Sequence, residues 1–214
     1  MHGPAAIPPG LLSGIGGYRK MISYIRFADS LSAWFGKAFA WLIVMMAVGT
    51  GYEVFVRYVL NHPTAWALDV SFIMYGTLFM MGGAYTLSRG GHVRGDFLYR
   101  LWQPRTQAKV DLILYLIFFF PGVLALIFTG WKYAGRSWSY TEVSINSPAG
   151  IPIFQFKSVL VAAGLLLFIQ GIAQVFRCIH AIRNNEWITA DEDVMETEDI
   201  LIQKAHEAET GGHI

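Results

Sequence analysis

Residues 38–88 read "AFAWLIVMMAVGTGYEVFVRYVLNHPTAWALDVSFIMYGTLFMMGGAYTLS". Two apolar runs, 38–60 and 65–88, are separated only by "NHPT". A helix rises 1.5 Å per residue and a bilayer core is about 30 Å thick, so roughly 20 mostly apolar residues cross it. Each run is long enough, and Pro63 closes the first helix and opens the second, which makes a tight helical hairpin. Two further windows have the same character: 112–131 ("LILYLIFFFPGVLALIFTGW") and 156–176 ("FKSVLVAAGLLLFIQGIAQVF"). The expected fold class is therefore all-α integral membrane, with four transmembrane helices. The composition agrees, since 54% of the 214 residues are apolar and only 14% charged, unlike a soluble domain. Pro121, inside the third window, is expected to kink that helix rather than end it, because lipid offers the backbone no other partner.

Outside the membrane domain, placed at 31–185, two segments have a different character. The start, "MHGPAAIPPGLLSGIGGYRK", is rich in Gly and Pro and lacks the basic start and apolar core of a secretory signal. Residues 1–30 are expected to form a leader without fixed structure. Residues 186–214 form an acidic tail, with eight acidic residues against one lysine after Trp187.

Basic residues cluster before the first window (Arg19, Lys20, Arg26, Lys37), between the second and third (Arg89, Arg94, Arg100, Arg105, Lys109) and after the fourth (Arg177, Arg183). The positive-inside rule then puts both termini and the middle connection on the cytoplasmic side. That connection opens with "RGGHVRGDFLYRLW", residues 89–102. Wound as a helix it sets Val93, Phe97, Leu98 and Leu101 on one face, with Asp96, Tyr99 and Arg100 opposite. An amphipathic helix lying in the cytoplasmic interface is expected, with His92, Arg94, Asp96, Arg100 and Trp102 as contacts to lipid or a partner. His92 and Asp96 at i and i+4 would need a third ligand to hold a metal, and none stands nearby.

Several functions are excluded by what the chain lacks. No basic block interleaved with aromatics points to nucleic acid, and no histidine pair lies inside the spans to hold haem. Cys178 is the single cysteine. No nucleophile arrangement, phosphate loop or dinucleotide fingerprint occurs, so neither enzyme activity nor a cofactor is expected. The inverted repeats or broken helices of a translocation site are also missing, which puts any carrier function in another chain.

The remaining polar and small residues suggest assembly. Glu53 and Arg57 stand at i and i+4 near the end of the first helix, with Asp69 just across the hairpin, and the three are expected to clamp it. Ala47 and Gly51, Gly76 and Gly83, and Gly164 and Gly171 recur at helical spacing, where small residues let helices approach closely. Gly83 in particular is expected in a contact too tight for leucine. Gln170 and Gln174 share a face and are expected to hydrogen-bond to another helix, in this chain or a partner.

The order "VFVRYVLNHPTAW", "WALDVSFIMYGTLFMMGGAYTLSRGGHVRGDFLY", "SWSYTEVS" and "FKSVLVAAGLLLFIQGIAQ" resembles the small membrane subunit, the Q-type or DctQ-like subunit, of tripartite ATP-independent periplasmic (TRAP) transporters. The resemblance covers about residues 30–185 and is sharpest at Arg57-Tyr58, Trp66, Gly82-Gly83-Ala84-Tyr85, His92-Val93-Arg94, Asp96, Ser137-Trp138, Glu142 and Ser144. It adds Trp66 to the hairpin clamp and Gly82 to the packing residues. It differs from the family's usual pattern at Asp69, where glutamate is common, and at Gly95, where an apolar residue is common.

The resemblance implies a bacterial or archaeal inner-membrane protein with two partners, a large M-type membrane subunit and a periplasmic substrate-binding protein. The large subunit would be a sodium-coupled elevator carrier for an organic acid, with 2-oxo acids as one class, and the small one its scaffold. The connection between the third and fourth helices would face the periplasm, with Lys132, Arg136 and Glu142 as docking candidates. Two alternatives stay open from the residues: the membrane anchor of a redox enzyme, and a small self-sufficient transporter.

Overall fold

The computed structural model describes residues 9–90 and 102–188, with side chains from residue 17. The described residues are all-α apart from one isolated antiparallel bridge, Val143 to Pro152. Helix α1 spans Pro9–Tyr58 and α2 spans Ala67–Ser88. Helix α3 (Pro104–Leu114), a π segment (Tyr115–Phe119) and α4 (Phe120–Ser139) follow one another without a break, and α5 spans Phe154–Asn184. Among the described residues four helical stretches are long and apolar enough to cross a membrane: Gly17–Tyr58, Ala67–Ser88, Pro104–Ser139 and Phe154–Asn184. The chain is a multi-pass helical membrane protein.

Helix α5 is the post against which the others stand. Within its most apolar window 44% of the residues are buried inside the chain, against 6% for the span Pro104–Ser139, so α5 serves the fold while the third span faces outward. The sequence makes this possible by placing small residues along α5. Ala163 and Leu166 meet Met81 and Ala84 of α2, Ala173 meets Ile25 and Ala28 of α1, and Cys178 and Ala181 meet Ala108 of α3. A Cβ added at Gly164 would lie 2.7 Å from Ile127 Cγ1, and one at Gly171 would run into the Phe119 ring. Close approach of this kind is what holds helices together where lipid removes the hydrophobic difference.

The glycine expectations are corrected in part. Gly82 has no atom within 4 Å of an added Cβ, and at Gly83 the nearest, Leu167 Cδ2, is an ordinary contact at 3.8 Å. The tight approaches of α2 lie elsewhere. A Cβ at Gly76 would be 2.5 Å from Phe156 Cζ, and Tyr85 of α2 leaves no room at Gly36, where a Cβ would be 2.5 Å from its own.

The leader expected over residues 1–30 is also corrected, because helix α1 already begins at Pro9. A helix of 50 residues is about 75 Å long, well beyond a bilayer of about 40–45 Å. The span needs only 38–58, so the N-terminal half of α1 is held by packing instead. Ile25 and Ala28 are buried on α5, the Tyr24 hydroxyl donates to the Ile169 carbonyl at 3.2 Å, and Tyr18 lies 5.6 Å from the His180 ring. The signal was present as apolar or small residues at helical spacing: Met21, Ile25, Ala28, Ser32 and Phe35.

Pro121 does not end its helix, as expected, but the π segment stands directly before it. Proline removes a donor and crowds the preceding turn, and the wider π turn absorbs both. It also sets Phe119 against Gly171. Of the amphipathic helix expected over 89–102, residues 91–101 lie outside the described residues, as does the acidic tail from residue 189.

Candidate functional site

The chain runs up α1, down α2, up α3–α4 and down α5, so the α1–α2 turn and the α4–α5 connection share one end of the bundle. Polar groups gather there. Glu53, buried on α1, accepts from Arg57 Nε at 3.0 Å and Nη2 at 2.5 Å, and from the Thr64 backbone N–H at 3.2 Å and hydroxyl. One carboxylate thus ties the last turns of α1 to the linker that leaves them. Asn61 supplies the left-handed residue of the turn, at φ 55°, and Trp66 stacks on Tyr52 at 6.3 Å. Glu53 and Arg57 pair at the hairpin, and Trp66 stands beside them on Tyr52.

Asp69 is not part of that group. It is 3% exposed and accepts from the hydroxyls of Ser144, at 2.8 Å, and Ser147, both on the α4–α5 connection. The expected three-residue clamp is corrected to two devices. Glu53 closes the hairpin on itself, while Asp69 fastens the first turn of α2 to a loop 75 residues further on. Hydroxyl donors satisfy a buried carboxylate here, where a cation was expected.

The α4–α5 connection is a small folded unit. The Ser144 N–H donates to the Ile151 carbonyl at 2.8 Å, and the Ile153 N–H to the Glu142 carbonyl at 3.0 Å. Thr141 (φ 47°) and Gly150 (φ 64°) supply the left-handed turns. The Glu142 carboxylate accepts from the Ser137 hydroxyl at 2.6 Å and pairs with Lys157, whose ammonium lies 4.0 Å over the Tyr133 ring. Of the docking candidates, Glu142 is thus occupied in holding the loop to α5. Lys132 sits 4.2 Å over the Phe128 ring and Arg136 is exposed. Between the two carboxylate anchors the loop carries Ile145 at its tip, 96% exposed.

The Lys157 hydrogen bond, then that of Ser137, holds the Glu142 carboxyl below the usual carboxylate value of 4.5. A lowered folded value stabilises above the ordinary pKa and is lost as pH falls through the lower one. The wild type should therefore melt above Glu142→Gln near neutrality, and the gap should close only on acidification below about pH 4.5. A gap that stayed constant into strong acid, in thermal melts of both proteins in the same detergent, would contradict this role.

The opposite end holds a second polar group, of which the sequence announced Gln170 and Gln174 but not Asp29, Ser32 and Arg177. Arg177 of α5 pairs with Asp29 of α1 at 2.7 Å, Gln170 donates to Asp29 at 2.8 Å, and Ser32 donates to Gln170 at 2.9 Å. Gln174 donates at 2.8 Å to the Leu87 carbonyl in the last turn of α2, which also accepts from the Gly90 N–H at 3.4 Å. Both glutamines therefore reach other helices of this same chain. Arg177 reads as a flanking charge in the sequence, and Asp29 lies inside the segment read as a leader. Of the interfacial candidates, His92, Arg94, Asp96 and Arg100 lie outside the described residues. Trp102 is exposed, its carbonyl accepting from Gln107, which in turn accepts from the Trp187 indole N–H at 3.1 Å. Among the described residues no group of three metal-ligating side chains occurs.

Four apolar helices, tied among the described residues by polar groups at both ends, define a small multi-span membrane protein. Residues 46–181 match the family of the DctQ component of tripartite ATP-independent periplasmic transporters, and the chain belongs to that family. No curated protein matches the chain.

Proposed function

We propose that this chain is the small scaffold subunit of a sodium-coupled TRAP transporter for an organic acid, a carboxylate such as a 2-oxo acid. It braces a large M-type membrane subunit and helps a periplasmic binding protein to dock, and carries no catalytic activity or cofactor of its own. The observation that carries this reading, beyond family membership, is the division of labour among the helices. Of the four spans α5 is the one most spent on the chain's own packing, while α1 and α4 leave long apolar faces such as Trp41, Val48 and Phe55, or Phe118, Leu124 and Phe128. A brace needs such faces for lipid and a neighbour, and it needs no polar path through its middle.

In this reading both termini lie in the cytoplasm of a bacterial or archaeal cell and the α4–α5 loop in the periplasm, an orientation supported by the basic clusters. Docking then falls on the loop tip around Ile145, held in shape by Asp69 and Glu142. Uptake in proteoliposomes tests the scaffold role. The chain alone should move no carboxylate, and the large subunit should need it for full sodium-driven uptake. Transport by this chain alone would favour the self-sufficient carrier, and a Soret band in the purified protein would favour the redox anchor.

A further inference from the structure

Along α1 large side chains recur at every seventh residue: Phe27, Trp34, Trp41, Val48 and Phe55. All are between 53% and 69% exposed, so the repeat faces away from the described residues. Lipid sets no such period, because it accepts an apolar side chain anywhere around a helix. A second helix does set it, since a left-handed pair brings the same stripe back to the contact every seven residues. Membrane helices cross mostly in this way.

Lys37 stands on the same stripe, between Trp34 and Trp41. The sequence puts it just before the first apolar window, but the packing carries it deeper. Its neighbours Phe35 and Phe39 pack on Met81, Ala84, Ala163 and Leu166, and Leu166 is at the middle of the window 156–176. Gly36 lies against Tyr85. Asp29, paired with Arg177 just past that window, is two turns nearer the start of α1, about 12 Å away. Lys37 is exposed, and among the described residues it has no acidic partner, since the ion pairs there join Arg57 to Glu53, Lys157 to Glu142 and Arg177 to Asp29. A charge at such depth is costly and as a rule finds a partner.

We propose that one helix of the large membrane subunit packs along this stripe, with a carboxylate on that helix opposite Lys37. The inference rests on the scaffold reading above and names the face and the charge that fix the assembly. Charge complementarity selects the occupant. A polar residue at a single position of such a seam sets its register at some cost in stability, and Lys37 takes that role. A second copy of this chain is a poor match, because both copies would cross the bilayer in the same direction and set Lys37 against Lys37. A lipid phosphate reached by the lysine stem would leave the seven-residue repeat without a cause.

Photo-crosslinking in native membranes, with the full chain co-expressed with its large subunit, tests the face. Benzoylphenylalanine replaces Trp41 or Val48 on the stripe, or Ile43 or Val54, which are exposed on the other side of the same helix. The stripe positions should give an adduct with the large subunit at several times the yield of the other two, and mass spectrometry of the adduct names the partner helix. Lys37→Glu should lower the large subunit recovered with the tagged chain about tenfold, while Lys37→Arg should leave it close to wild type. Exchanging one carboxylate of the partner helix for lysine should restore recovery to Lys37→Glu, which separates a lost ion pair from misfolding. Equal adducts from all four positions, adducts between two copies of this chain, or recovery unchanged by Lys37→Glu would overturn the proposal, and the scaffold reading would stand as long as the large subunit still co-purifies. If the wild type brings down no large subunit, the scaffold reading itself fails and the proposal falls with it.

Discussion

Replacing Asp29 with alanine is expected to destabilise the fold by about 3 kcal/mol, since it leaves the Arg177 guanidinium buried without its counter-charge. The Arg177 side chain is only 6% exposed and that of Asp29 24%, so the arginine cannot recover water in place of its partner. Its Nε is already buried without a hydrogen-bond partner, and Gln170 would lose its acceptor too. Removing the other partner should cost less. In Arg177→Met the carboxylate is the more exposed member and can rehydrate, so about 1–2 kcal/mol is expected. The double variant, Asp29→Leu with Arg177→Met, should return close to wild type, because two apolar groups leave nothing uncompensated. Thermal midpoints of the four proteins in one mild detergent measure all three terms. If the double variant were as unstable as Asp29→Ala, the loss would come from packing and not from the stranded charge.

The second large effect is expected at Gly171. Leucine there would drive into the ring of Phe119, which is itself held edge-on between Tyr115 at 5.3 Å and Phe120 at 5.7 Å. With ring neighbours on two sides of Phe119, the α3–α4 span is expected to move away from α5, at a cost of about 3 kcal/mol. Gly76→Leu against Phe156 should behave similarly. Gly82→Leu is the control, since its added side chain meets open space, and a change within about 0.5 kcal/mol is expected. Yield of monodisperse protein and thermal midpoint report the difference. A Gly171→Leu protein as stable as Gly82→Leu would show that the helices do not meet there.

Much of this architecture was legible in the sequence, and the misses share one cause. Hydropathy finds the stretch that lies in hydrocarbon, so the windows 112–131 and 156–176 fall within apolar helices, while 38–60 and 65–88 each overrun theirs by two residues at the hairpin. It does not find where a helix continues past the lipid. The extensions over 17–37, 104–111 and 177–184 carry charges, and they are helical because they pack on one another around α5. The pair Glu53 and Arg57 was legible because it is local, one helical turn apart. Asp69 with Ser144, and Asp29 with Arg177, lie 75 and 148 residues apart, and no local pattern announces such partners. That Gly76 is more crowded than Gly83 was not legible, for a related reason. Spacing tells which residues share a face, but only the neighbouring helix decides whether Gly76 or Gly83 is the crowded one.

Affinity purification of the tagged chain from native membranes in mild detergent, followed by mass spectrometry of what accompanies it, tests the scaffold role most directly. A much larger multi-span protein should co-purify in equal amount. Recovery of the chain by itself, or with a redox enzyme, would contradict that role and return the function to these four helices.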